Sequence, residues 1–91
     1  MAKPPRLTVR PKCQFPAQAK QASIDRATVV LRVSVEKDGH PKSVRIVRDP
    51  GFGFGAAAEG CMLKSRFVPA QDRHGQPMAT TITMRFVFSN N

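Results

Sequence analysis

The chain has 91 residues, 41% of them apolar and 23% charged, with a formal net charge of +9. A chain of this length makes one small domain that buries roughly 60 to 65% of its unfolded surface, which excludes a multidomain protein and gives weight to any covalent staple. No apolar run approaches the roughly 18 residues of a membrane span, and the start Met1-Ala2-Lys3-Pro4-Pro5 lacks the apolar region of a secretory signal.

Residues 1–12 hold Pro4, Pro5 and Pro11 and mix basic with apolar side chains, which predicts an extended Pro/basic linker arm, with the folded domain at 13–91 and any membrane anchor upstream. Behind Pro16, whose missing N–H does no harm at a helix start, the good helix formers from Ala17 to Ala22 predict one or two helical turns. Thr28 to Glu36 then alternates strictly, with Val29, Leu31, Val33 and Val35 on one side, the pattern of a half-buried strand. Asp38-Gly39 supplies the positive φ of a tight reversal. Ser43 to Arg48 alternates again, Val44 and Ile46 opposite Arg45, so the two runs form an antiparallel hairpin until Asp49-Pro50-Gly51 ends it.

Phe54, Ala57, Ala58, Cys61 and Met62 fall on one helical face within 54–66, in a helix weakened by Gly55 and Gly60. Pro69 closes that segment and Asp72-Arg73-His74-Gly75 is a surface turn. The last run, Thr80 to Phe88, places Ile82, Met84, Phe86 and Phe88 on one side and Thr81, Thr83 and Arg85 on the other.

The order α-β-β-α-β predicts an α+β two-layer sandwich, a three-stranded antiparallel sheet with two helices on one face. Its core should collect Val29, Leu31, Val33, Val35, Val44, Ile46, Ala58, Met62, Phe67, Ile82, Met84 and Phe86. Such a sheet has two edges, and a long regular edge is either a liability or a docking surface.

The pI near 10.9 favours anionic partners. The basic residues nevertheless show no run of three, so they form either a solvated face or scattered anion contacts. Gly51-Phe52-Gly53-Phe54 mimics the aromatic strand motif of RNA-recognition domains, but Pro50 precedes it, a helix follows, and the first strand offers no aromatic partner. A basic nucleic-acid-binding module is therefore only the third reading. Cys13, His40, Cys61 and His74 lack local ligand spacing, so no metal site and no cofactor is expected. The acidic residues are scattered and the two histidines lie on separate turns, which leaves no catalytic set and predicts a non-enzyme. Cys13 precedes the first helix and Cys61 lies on the apolar face of the second. They are either a bridge, contributing about 4 kcal/mol by loop entropy, or two reduced buried thiols.

Taken together, Gln14-Phe15-Pro16-Ala17-Gln18-Ala19, the strand ending in Val35-Glu36-Lys37-Asp38-Gly39, Val44-Arg45-Ile46-Val47, Ala56-Ala57-Ala58, Arg66-Phe67-Val68-Pro69-Ala70, Gly75-Gln76-Pro77 and Ile82-Thr83-Met84-Arg85-Phe86 resemble, in order and spacing, the C-terminal domain of TonB. The resemblance runs from about residue 11 to the C-terminus. Phe15 stands where that family commonly has tyrosine and Ser65 where tryptophan is frequent, and the two cysteines are not general to it.

The resemblance implies a non-catalytic periplasmic domain of an inner-membrane-anchored energy transducer, driven through its anchor by an inner-membrane motor complex. It also implies an oxidising compartment, in which a Cys13–Cys61 disulfide is expected. The implied partner is an outer-membrane transporter, whose N-terminal box peptide adds as a strand along the last strand. That nominates Gln14, Phe15 and Pro16 together with Thr80, Thr81, Ile82, Thr83, Met84, Arg85, Phe86, Val87 and Phe88. The same domain in another envelope machine, serving motility or polymer handling, is the alternative.

Overall fold

The structure is a computed structural model describing residues 2–9 and 12–89. Its elements are β1 (Arg6–Val9), α1 (Ala17–Gln21), β2 (Arg26–Val35), β3 (Pro41–Arg48), α2 (Phe54–Leu63), β4 (Arg66–Val68), β5 (Ala70–Gln71), β6 (Pro77–Met78) and β7 (Thr80–Ser89). The three alternating runs build one antiparallel sheet in the order β3-β2-β7, with both helices contributing to the core on one face, so the α+β sandwich expected from the sequence is present. β2 lies at the centre because it is the run with the most complete apolar face. Val29, Leu31, Val33 and Val35 are all buried, and a strand closed on both sides and one face loses the least from having no solvent contact. β7 pairs with β2 without a slip from Arg26↔Ser89 to Val35↔Thr80.

The β2–β3 reversal differs in detail from a two-residue turn. Glu36 N–H donates to the His40 carbonyl at 2.8 Å and Gly39 N–H to the Glu36 carbonyl at 2.9 Å, which closes a three-residue loop with only its last member, Gly39, at positive φ (90°). Asp38 Oδ1 accepts the His40 backbone N–H at 3.0 Å and lies 3.1 Å from His40 Nδ1. The hydrogen bond from the His40 backbone, followed by that from its side chain, holds the Asp38 carboxyl below the ordinary carboxylate range.

The second helix is shorter than its sequence pattern. It stops at Leu63, and Arg66–Val68 becomes a strand because the Phe67 N–H is taken by the Gly39 carbonyl at 2.9 Å while β1 pairs alongside, Leu7 against Phe67. Ser65, buried between the two, donates its hydroxyl to the Cys61 carbonyl at 3.3 Å. At the other end Gly55 makes room for a helix-start contact. The Asp49 carboxylate accepts the N–H groups of Gly51 (2.8 Å) and Gly55 (3.2 Å), satisfying an orphan donor of the first turn, and a Cβ on Gly55 would collide with that carboxylate.

The segment expected as an extended arm contributes β1 and a further bridge from Lys3 to Gln71. Five members of the expected core, Val44, Ile46, Ile82, Met84 and Phe86, are half-buried and pack against its rim. α2 packs over β3 and β2, leaving the helix side of β7 partly open, so Ile82, Met84 and Phe86 are half-buried. Phe88 takes the buried position, 4% exposed, with its ring 5.3 Å from Phe54 and 6.5 Å from Phe15.

Candidate functional site

The two edges of the main sheet are unlike. β3 begins with Pro41 and is interrupted by register shifts at both ends of its pairing with β2, the devices that blunt an edge. β7 is ten residues long, regular throughout, and among the described residues no strand pairs with its outer side. Its outer row of backbone donors and acceptors is a ready template for an extended chain.

Side chains along this edge alternate between two environments. Thr81, Thr83, Arg85 and Val87 are exposed on the face away from the helices. Met84 and Phe86 look into a cleft of about 240 Å³ closed by Leu7, Cys13, Met62 and Ser65. The cleft exists because α2 stops short of β7 while β1, held beside β4, supplies the opposite wall. An extended chain laid against β7 would therefore direct alternate side chains into an apolar cleft and onto a polar, basic face.

Of the residues nominated from the glutamine-aromatic-proline segment, the structure brings Phe15 to the Phe88 end of β7. There Phe15 meets the rings of Phe54 at 5.2 Å and Phe88 at 6.5 Å, both edge-on. Gln14 is exposed and, with half-buried Pro16, lines a separate hollow between residues 12–17 and α2. Cys13 borders both hollows and is disulfide-bonded to Cys61, Cα to Cα 5.9 Å. The start of β7 lies elsewhere: Thr80 and Thr81 border a hollow with Ser34, Glu36 and Lys42. Sequence reasoning missed Leu7, Met62 and Ser65 as walls of the cleft. Leu7 carried a signal, an apolar residue between Arg6 and Thr8, but not the register that seats it opposite Phe67.

Among the described residues no three His, Cys, Asp or Glu side chains gather where a metal could be held. No helix among them is long and apolar enough to cross a membrane.

Residues 11–89 match the family model of the Gram-negative bacterial TonB protein C-terminal domain. The chain belongs to the TonB C-terminal family. No curated protein matches it significantly. A TonB C-terminal domain is a periplasmic, non-catalytic interaction module at the end of an energy transducer. The match covers both cysteines and every element of this TonB domain except β1, so the Leu7 wall of the cleft lies outside the part that defines the family.

Proposed function

We propose that this domain grips an extended segment of an outer-membrane transporter by strand addition along the outer side of β7, and that it transmits to that segment the force delivered through an inner-membrane anchor and its motor complex. The observation that carries this reading is the long, unbulged, unpaired edge from Thr80 to Ser89 beside an apolar cleft. Backbone pairing supplies affinity with little demand on sequence, and the side chains that alternate into the cleft select the peptide. The geometry also suits load. A pull parallel to β7 is shared among several hydrogen bonds in shear, and β7 passes it to β2 through an uninterrupted ladder.

Gln14, Phe15 and Pro16 act at the Phe88 end of this edge. Phe15 fixes the aromatic cluster against which β7 ends, and Gln14 offers an exposed amide beside it. Affinity for a short peptide is about micromolar or weaker, since the peptide must be ordered on binding.

An amide-shift titration with a synthetic transporter box peptide tests the proposal, with proline variants at two adjacent positions, Thr83→Pro and Met84→Pro. One of these places its missing N–H on the side away from β2, and that variant keeps its fold and loses binding. Shifts confined to β3, or binding that survives proline at both positions, would contradict strand addition at β7.

A further inference from the structure

The face of the sheet turned away from the helices carries a pattern that neither the fold nor the β7 edge uses. Arg32 of β2 stands directly opposite Arg45 of β3, and in the next row Val30 lies between Arg48 of β3 and Arg85 of β7. All four arginines are exposed. A register shift between Val30 and Leu31 creates the second row: the extra residue lets Val47 and Arg48 both face outward, where they border one hollow with Val30, Thr83 and Arg85. The acid of this face, Glu36, sits at its far end in a different hollow, beside Lys42. Among the described residues none of the four arginines has an ion-pair partner.

Such an arrangement opposes folding. Like charges directly across a strand pair repel at about 5 Å, and threonine or serine at the same positions would pair favourably, as Ser34 and Thr81 do one row away. The composition of the face indicates what relieves the repulsion. The basic residues of the inner rows are arginines only; of the lysines Lys42 stands on β3 at the far end of the sheet, and Lys3, Lys12, Lys20, Lys37 and Lys64 lie on the arm, the turn or at the helices. Diffuse attraction to a polyanion or a lipid surface makes little distinction between lysine and arginine. Protein interfaces do distinguish them, favouring arginine for its planar fork and disfavouring lysine. Val47 and Val87, 52% and 59% exposed, intersperse the guanidinium groups with apolar area, and the face holds no aromatic ring on which a base could stack.

We propose that this outer sheet face is a second interaction surface, which docks a carboxylate-rich protein surface through Arg32, Arg45, Arg48 and Arg85. The two-row lattice, about 5 Å between neighbouring strands and about 10 Å across the sheet, presents the forks to carboxylates on a partner that lies across all three strands. Arg32, Arg45 and Arg48 belong to strands other than β7, so this surface is separable from the edge on which a peptide would pair.

Hexaglutamate serves as the probe, followed through the arginine Nε–H resonances of the intact domain. The expected result is that the four arginines shift together. Arg45→Thr with Arg48→Thr should remove binding and leave the melting temperature unchanged or raised. Arg45→Lys with Arg48→Lys, which keeps the charge but loses the fork, should weaken binding by about fivefold or more. Unchanged affinity in the lysine pair would overturn the proposal by showing simple charge attraction. So would an absence of shifts, or a response of these arginines to phosphatidylglycerol vesicles or single-stranded RNA that hexaglutamate does not elicit.

Discussion

Gly39 and Phe67 meet backbone to backbone: the Phe67 N–H donates to the Gly39 carbonyl at 2.9 Å, and a Cβ on Gly39 would strike the Phe67 carbonyl oxygen. This contact ties the β2–β3 hairpin to β4 and is the reason the chain leaves its helical pattern after Leu63. Gly39 also sits at φ 90°, where any side chain is strained. Gly39→Ala should therefore destabilise by about 2 to 4 kcal/mol, read as a fall in the urea midpoint at constant m-value.

Asp49 and Gly55 yield a prediction that departs from helix propensity. Alanine for a helical glycine ordinarily stabilises by about 1 kcal/mol, but here the added Cβ displaces the carboxylate that accepts the Gly55 N–H. Gly55→Ala should therefore bring no net gain in the parent protein, the propensity gain being offset by the lost contact. Asp49→Ala alone should cost about 1 kcal/mol as a lost helix-start contact. In the Asp49→Ala background Gly55→Ala should stabilise by about 1 kcal/mol, a coupling that a double-mutant cycle by chemical denaturation would measure.

The aromatic cluster divides the end of β7 into unequal parts. Phe88→Ala should cost about 3 to 5 kcal/mol, because it opens a cavity against Phe15 and Phe54. Phe86→Ala, at a half-buried site beside the cleft, should cost about 1 to 2 kcal/mol. Thermal and urea unfolding of the two variants would check the order, and a greater loss at Phe86 would contradict the packing described.

The Cys13–Cys61 bridge joins the segment before α1 to the inner face of α2, closing a loop with a sequence separation of 48. Reduction, or Cys13→Ser with Cys61→Ser, should lower stability by up to about 4 kcal/mol on the loop-entropy estimate. Intact mass should lie below the reduced value by the mass of two hydrogens, with no thiol titrating under denaturing conditions.

What was legible in the sequence followed from periodicity. The three strands, their antiparallel order and the two helices stand where the alternation of Val29 to Val35, Val44 with Ile46, and Ile82 to Phe88 put them, because a period of two admits only one buried face. Tertiary contacts carried the rest. Arg66, read as the end of the second helix, instead opens a strand with Phe67 and Val68 because Gly39 and β1 offer it partners. Phe86 and Phe88 are equivalent in pattern, and the position of α2 decides between them. The edge itself was legible as a long regular strand, whereas its cleft was not, since Leu7, Met62 and Met84 come from three distant parts of the chain.

Strand addition at β7 makes a claim about individual backbone amides, and hydrogen exchange reads them one by one. In the free domain, amides of β7 that point toward β2 are protected and those that point away exchange freely. On saturation with a transporter box peptide, protection should appear at alternate amides along Thr80 to Phe88, every second residue and no others on that strand. Protection spread evenly over the domain, or gained on β3 while β7 stays unchanged, would contradict pairing of the peptide along this edge.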